Sequence, residues 1–352
     1  MNKLERICLL GAMSAFMLAF TGGCSEANNN LERKNEQLSS ARKVTQEDSS
    51  VFFHKRGLSS LRMRTYSSIE QAIDDFERAR EGYERNENYT GLVGVNASLG
   101  TAYFMIGKYQ EAISPLKLAL EINEEKGFHF DTQPDKEMHL VRLYLGISYF
   151  KTGDFENAFN TFYTANLFYP ENKEILAWYS KAARSFIKEL KTQINGESDS
   201  AKLEILHAKL GDAYLKAGEL KLANQQALLI QKLNPNSVDA LRLLGQISFE
   251  QRDWNNAKHY FQQILESGPD EHAYHELGAA YLNSGDLNKA LVVLEEGINL
   301  FPNSPRMNFV LGLAYDRAGR RDDATRCFEI ACSTMPERRE YCNPPRIGGH
   351  KK

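Results

Sequence analysis

The chain has 352 residues, of which 42% are hydrophobic, and its 43 lysines and arginines face 46 aspartates and glutamates, for a formal net charge of −3. This near balance provides no basic surface of the kind that binds nucleic acid, so we expect no nucleic-acid partner. After residue 24 no apolar run approaches the roughly 20 residues of a membrane-spanning helix, so we expect no transmembrane helix beyond the leader.

The first residues have the pattern of an export signal. Lys3 and Arg6 supply a positive start, residues 7–20 are apolar, and the small residues of "TGGCSE" follow. This combination is typical of a secretory signal peptide, and its apolar stretch is too short for a comfortable membrane span. The sequence therefore predicts a signal peptide over residues 1–23.

Cys24, which directly follows Gly23, resembles the lipobox cysteine of bacterial lipoproteins, although Thr21 stands where that motif usually has leucine. The resemblance implies that Cys24 becomes a lipidated first residue, and Ser25 resembles the sorting signal for the outer membrane. The implied location is the outer membrane, facing the periplasm, with the lipid as the only membrane contact. The alternative is ordinary cleavage after Gly23, which leaves a soluble periplasmic protein.

Residues 24–58 are predicted to comprise the lipidated cysteine and a flexible tether. Residues 25–50 contain no aromatic residue and are dense in Asn, Ser, Gln and charged residues, so they cannot bury enough apolar surface to fold. As a flexible coil, this stretch reaches about 25–30 Å. Such a tether would hold a folded domain clear of a bilayer surface.

A repeated pattern occupies most of the remaining chain. Leu-Gly pairs recur, an alanine stands twelve residues after each of their glycines, and from the third glycine onward the steps are 34, 33 and 34 residues. Apolar residues recur at spacings of three and four on both sides of breaks such as "NSGD", which predicts two amphipathic helices per unit. One pair of helices cannot bury both its faces, so such units are stable only as a stacked array. The glycines are Gly100, Gly146, Gly211, Gly245, Gly278 and Gly312.

The unit resembles the tetratricopeptide repeat. Its best match reads "YHELGAAY" from Tyr274 to Tyr281, with Ala290 in the second helix and Pro302 at the end of the unit. The resemblance implies an all-α, right-handed superhelix, or α-solenoid, of about six clear repeats plus degenerate ones. It also implies a non-catalytic protein that binds a protein or peptide in a groove lined by the first helices.

The period breaks twice. The step from Gly100 to Gly146 is 46 residues, which predicts an insertion near residues 127–138. Residues 173–194 are strongly helical but lack the Leu-Gly pair and the turn within the unit, which is typical of a degenerate repeat. The expected segments are an N-terminal subarray over 59–194, a hinge over 195–203, a C-terminal subarray over 204–338 and a tail over 339–352.

Side chains off the packed Leu-Gly-Tyr stripe are expected to face the groove, where they would complement a peptide with an apolar and a charged segment. In the N-terminal half they are apolar, namely Phe104, Met105, Leu140, Leu143, Ile147 and Phe150. In the C-terminal half they are polar, namely Asp212, Lys216, Arg242, Gln246, His272, His275, Asn283, Arg306 and Arg317. The alternative is that the apolar residues pack on the insertion or on the tether.

Three cysteines lie near the carboxyl end. In an oxidising compartment, a disulfide between Cys332 and Cys342 would pin the tail against the last helix. The alternative is that Cys327 and Cys332 are small buried hydrophobic residues. After Pro336 the chain is too short and too rich in proline for a full capping helix. The tail or another molecule would therefore cover this end, and a second copy of the chain is one such molecule.

No group of residues has the pattern of a catalytic or metal site. His272 and His275 in "DEHAYHE" stand three apart on one helix, but the flanking glutamates complete no known hydrolase motif. The turns "GRRDDA" and "SGDLNKA" recur because the repeat recurs, and neither is a phosphate-binding loop. We expect no catalytic residue, no cofactor and no bound metal.

The sequence thus predicts a non-catalytic lipoprotein scaffold that faces the periplasm and acts through protein–protein contacts in an envelope assembly, such as pilus, secretion or cell-wall machinery. The second hypothesis is a soluble exported adaptor or chaperone. A metal-binding or enzymatic protein ranks third.

Overall fold

The structure, a computed structural model, describes residues 49–126, 134–334, 339–342 and 344. Within these residues the chain forms helices and connecting turns without a β-strand, which confirms the all-α prediction. The predicted signal peptide, Cys24 and most of the tether lie outside the described residues. Most of the predicted insertion at 127–138 does as well.

The chain divides into two compact units, and the first ends at Val95. Its described part contains α1, which is helical over residues 49–62, then α2 (Tyr66–Arg85) and the first residues of α3 (Tyr89–Met105). The boundary between the two units therefore falls inside α3.

Helix α2 has a complete start and one buried face. The Thr65 side chain accepts a hydrogen bond from the Ser68 N–H, and the Ser68 side chain caps Thr65 in return. Phe76, which is fully buried, lies on the apolar face of the helix. Asp75 beside it is 1% exposed and forms an ion pair with Arg56 on α1. A buried carboxylate needs such a partner to stay charged.

The second unit begins at Asn96 and carries the repeats. Its helices form successive antiparallel pairs, with one long single helix between two of the pairs. After α3 the helices are α4 (Tyr109–Glu125), α5 (Pro134–Thr152), α6 (Phe155–Phe168), α7 (Lys173–Gly196), α8 (Ser200–Lys216), α9 (Leu220–Leu233), α10 (Val238–Glu250), α11 (Trp254–Ser267), α12 (Glu271–Asn283), α13 (Leu287–Leu300), α14 (Pro305–Arg317), α15 (Arg321–Thr334) and α16 (Arg339–Cys342).

The turn within a pair depends on one residue in the left-handed region. At Gly285 φ is 86°, and the Asp286 side chain that follows accepts a hydrogen bond from the Lys289 N–H and so caps the second helix. In the α10–α11 pair the same position is Arg252, with φ of 58°. A residue with a Cβ adopts this conformation at a cost of roughly 1–2 kcal/mol. The "NSGD" pattern therefore encodes both a turn and a cap.

The glycine of each Leu-Gly pair marks a close approach between helices. A Cβ added at Gly278 would lie 2.4 Å from the side chain of Leu294 on the second helix of the same pair. At Gly211 the equivalent second-helix residue is Ala227, and Leu243 of the following pair fills the space instead, 2.2 Å from an added Cβ. The repeated small residue is therefore a packing requirement.

Helix α7 is one continuous helix of 24 residues, as the missing turn predicted. Its buried residues, among them Ile175 and Leu190, belong to the same core as Leu210 on α8. The core therefore continues across the predicted hinge at 195–203, because α7 buries a whole face against its neighbours on both sides.

Helix α16 covers the end of the last pair. Cys342 on α16 forms a disulfide with Cys332 on α15, with 4.7 Å between their Cα atoms. Tyr341 is 5% exposed, and its ring centroid lies 4.6 Å from that of Phe309 on α14. Cys327 is a buried free thiol, and chiefly burial raises its pKa to about 11. Of the two alternatives for these cysteines, the structure contains the disulfide.

Candidate functional site

The predicted N-terminal groove is partly core. Leu143 and Ile147 are 2% and 6% exposed and belong to the main core cluster, so their placement in a groove is corrected. The reason is that a first helix packs against its own second helix and also against the next helix in the stack, which buries two faces. For α5, the next helix in the stack is α7.

The other predicted apolar residues are divided between packed and exposed positions. Phe104 stacks on Tyr144 with 4.4 Å between ring centroids. Phe150 packs edge-on against the tryptophan of α7, at 5.5 Å. Met105 is 39% exposed and Leu140 is 36% exposed. This predicted surface therefore consists of a packed interior and two exposed side chains.

Six of the nine polar residues predicted for the C-terminal groove line one cleft of about 830 Å³. They project from α8, α10, α12 and α14, which are the first helices of successive pairs. The six are Asp212, Lys216, Gln246, His272, His275 and Arg306. We call this surface the array cleft.

Lys216 is held in place by its neighbours in the array cleft. Its Nζ lies 2.8 Å from Asp212 Oδ2 and 3.4 Å from Asn160 Oδ1, and it stands 5.2 Å from the centre of the Tyr163 ring. The Lys216 carbonyl accepts a hydrogen bond of 2.6 Å from the Tyr179 hydroxyl on α7. Burial, chiefly, raises the pKa of Tyr179 to about 12, so this donor stays protonated. The charge of Lys216 is thus neutralised within the protein.

Two histidines flank one glutamate elsewhere in the cleft wall. The Glu276 carboxylate lies 3.6 Å from His272 Nε2 and 3.6 Å from His275 Nδ1. Burial raises the pKa of Glu276, but the hydrogen bond and charge of His275, with the charges of His272 and Arg306, outweigh burial and leave it below the usual value. Burial lowers the pKa of His272. Glu276 therefore holds a fixed negative charge in the cleft.

The three remaining predicted residues do not line the array cleft. Arg242 forms a two-point ion pair with Asp270, with 3.1 Å from Nη2 to Oδ2 and 3.3 Å from Nη1 to Oδ1. Arg317 donates from Nη1 to the Leu282 carbonyl at 2.9 Å. Asn283 is exposed and lies outside the cleft lining. Both arginines join neighbouring first helices, because a long side chain on one such helix reaches the next.

Sequence reasoning missed the contribution of a second helix. Asn160, Tyr163 and Thr164 of α6 line the array cleft, although α6 is the second helix of its pair. Because α7 is a single helix in place of a pair, α6 reaches Lys216 on α8 directly. The absence of a turn within residues 173–194 was the signal in the sequence that α6 could contact α8 directly.

The array cleft offers hydrogen-bonding groups and charges. Among the described residues, no group of three or more His, Cys, Asp or Glu side chains could hold a metal ion, and His272 and His275 have Glu276 as their acidic neighbour. In the same part of the chain no helix is both long and apolar enough to cross a bilayer.

These features define a helical repeat protein with a polar cleft between its first helices. Two models of the tetratricopeptide repeat match the chain, over residues 208–272 and over 271–304. The matched region includes α9 to α13, with the Gly211, Gly245 and Gly278 units. The chain contains tetratricopeptide repeats over residues 208–304. Proteins of this kind are typically non-catalytic scaffolds that bind other proteins, and neither matching model describes a catalytic domain.

Individual proteins resemble parts of the chain. The general transcriptional corepressor trfA of Dictyostelium discoideum is 32% identical over 99 residues, which are 27% of this chain and only 7% of the relative. The crystal structure of MamA is 22% identical, covers 56% of this chain and 98% of its own, and has a TM-score of 0.35. A tetratricopeptide repeat protein from Parabacteroides merdae is 16% identical, covers 84% of this chain and 97% of its own, and has a TM-score of 0.38.

Proposed function

We propose that this protein is a scaffold that binds an extended segment of a partner protein in the array cleft. The observation that supports this best is the alignment of polar side chains from four successive first helices along one cleft. Residues from separate repeats come together only when the pairs are stacked, so the cleft presents several contacts to one segment at once. Long grooves of this kind bind peptides through anchors on successive turns or strand positions.

The location of the scaffold is a further part of this proposal. We propose that Cys24 is lipidated and that the protein faces the periplasm from the outer membrane, in the assembly of a pilus, secretion or cell-wall complex. The sequence pattern of residues 1–25 supports this location. The disulfide between Cys332 and Cys342 suits an oxidising compartment. The second candidate is a soluble exported adaptor, which the same disulfide suits equally.

Site-specific photo-crosslinking in cells tests the cleft. A photoreactive amino acid replaces Gln246 inside the array cleft or, as a control, Val292, which is 64% exposed on α13 and outside the cleft lining. We expect a discrete crosslinked partner at position 246 and none at position 292. Equal products at the two positions, or none at position 246, would count against the cleft as the binding surface.

Metabolic labelling with an alkyne fatty acid tests the anchor. We expect label on the native protein and none on a Cys24→Ala variant. An unlabelled native protein would overturn the lipoprotein proposal and leave the scaffold proposal intact, because the two rest on different residues.

A further inference from the structure

A second cavity, of about 470 Å³, lies between the first turns of α12 and α14. It shares His272, His275 and Arg306 with the array cleft, so the two adjoin. Ser304 at the start of α14 forms another part of its wall. A segment bound along the array cleft as far as α14 would therefore reach this cavity.

The preceding interface, between α10 and α12, has an ion pair at the equivalent positions. There Arg242, three residues before the Leu-Gly glycine, makes a two-point ion pair with Asp270, the N-cap residue of α12. One repeat later the same two positions are His275 and Ser304, the latter being the N-cap residue of α14. The interface between α12 and α14 thus lacks both the arginine and the carboxylate that pair in the preceding interface.

The cavity offers donors without a matching acceptor. Arg306 is exposed at its rim and forms no ion pair with any residue that the structure describes, whereas Lys216 and Arg242 each have a carboxylate partner. The Nδ1 atom of His272 is buried and has no hydrogen-bond partner in the described part of the chain, and that of His275 is buried with the Glu276 carboxylate 3.6 Å away. Buried polar atoms of this kind normally find a partner in the functional state.

The acidic groups nearby do not supply that acceptor. Asp270 is already paired with Arg242, and its pKa reflects this: burial raises it, but the Arg242 contacts and the Ala273 N–H outweigh burial and lower it. Glu276 lies on the cleft side against the two histidines, and Glu271 is exposed at the first turn of α12.

Resting on the proposed function, we infer that the partner segment carries an acidic side chain whose carboxylate enters the cavity between α12 and α14. There it pairs with Arg306 and accepts hydrogen bonds from His272 and His275. It occupies the place that the Asp270 carboxylate has opposite Arg242 one repeat earlier. A partner of this chemistry complements Arg306, which lines both cavities and forms no ion pair with a residue that the structure describes.

Binding of this kind depends on pH in a defined direction. An incoming carboxylate favours protonated imidazole, so the complex takes up a proton and becomes tighter as pH falls. In the free protein burial lowers the pKa of His272, Glu276 raises it, and Arg242, His275 and Arg306 lower it. The tightening is therefore expected below about pH 6.5 and ends near about pH 4.5, where the acidic side chain of the partner is itself protonated.

Fluorescence anisotropy with the full chain provides the test. The probes are two labelled synthetic peptides, one with glutamate at alternate positions and one with glutamine in their place. We expect the glutamate peptide to bind about tenfold more tightly, as for a charge-assisted pair in a partly enclosed site. Arg306→Gln should abolish this preference, and Arg321→Gln should retain it, because Arg321 lies on α15 and lines neither cavity.

A second variant supplies the missing carboxylate from the protein itself. Ser304→Asp keeps a good N-cap, since aspartate fills this role in α12, and places a carboxylate opposite His275. We expect Ser304→Asp to keep its helix content by circular dichroism and to lose the preference for the glutamate peptide.

Equal binding of the two peptides by the native protein would overturn the acidic-partner inference. If photo-crosslinking at position 246 persisted in that case, the scaffold proposal would stand with a partner of different chemistry. If the native protein showed neither a preference for the glutamate peptide nor crosslinking at position 246, both the acidic-partner inference and the scaffold proposal would be wrong. A preference that survives Arg306→Gln unchanged would place the acidic site elsewhere on the protein and also overturn the inference.

Discussion

The region around α7 and the regular pairs from α10 to α15 use the same helical pattern with different results. On α5, next to α7, Leu143 and Ile147 lie off the Leu-Gly-Tyr stripe and are nevertheless core residues. In the regular pairs, residues at the same distances from the Leu-Gly glycine, such as Gln246 and His275, line an open cleft. This difference shows that the neighbouring helices decide whether a given face of a repeat helix is buried or open to solvent.

The chemistry of the side chains follows the same division. The covered region is rich in aromatic contacts, such as Phe159 stacked on Tyr179 at 5.5 Å. The open region is joined by ion pairs and hydrogen bonds across its first helices, such as Arg242 with Asp270. Apolar area stabilises a closed interface, whereas an interface that borders solvent can use polar contacts at little desolvation cost.

Shortening leucine side chains on α5 tests this comparison with the largest expected effect. Leu143→Ala removes a buried side chain and should lower the free energy of unfolding by about 2–5 kcal/mol. Leu140→Ala, at a position that is 36% exposed, should change it by less than about 0.5 kcal/mol. Urea unfolding followed by circular dichroism measures both. Small and equal effects of the two substitutions would mean that Leu143 is a groove residue and not a core residue.

Enlarging a Leu-Gly glycine in the regular pairs should have an intermediate effect. Gly278→Ala places a Cβ 2.4 Å from Leu294 and should cost about 1–3 kcal/mol of unfolding free energy. The control is Gly196→Ala on α7, where nothing lies within 4 Å of the added Cβ, and which should stabilise the helix by up to about 1 kcal/mol. Thermal unfolding compares the two. A Gly278→Ala protein as stable as the native one would show that the helices separate easily.

The smallest expected effect is a gain in stability at the turn of the α10–α11 pair. Arg252→Gly removes a Cβ from a residue with φ of 58° and should stabilise the protein by about 1 kcal/mol. The reverse change, Gly285→Arg, at the same turn position one pair later with φ of 86°, should destabilise it by a similar amount. Melting temperatures that move in the same direction for both variants would mean that side-chain contacts, rather than backbone strain, control these turns.

Much of the fold was predictable because its determinants are local in the sequence. The spacing of apolar residues set the helices, and Gly285 with Asp286 set one turn and the cap after it. The absence of a turn in residues 173–194 correctly predicted the single helix α7. The candidate site was predictable only in part, since six of nine polar residues reached the cleft while Arg242 and Arg317 were drawn into contacts between repeats.

The sequence by itself determined that this protein is an array of helical pairs, because a period of 34 residues and a helical repeat of 3.6 residues are both written along the chain. Only the tertiary structure decided which helix faces are buried and which line the array cleft. The physical reason is that burial depends on the neighbour that stacks on a face, and that neighbour lies tens of residues away in the chain. The cavity at Ser304 and Arg306 is of this second kind, because it lies between the first turns of two helices that only stacking brings together.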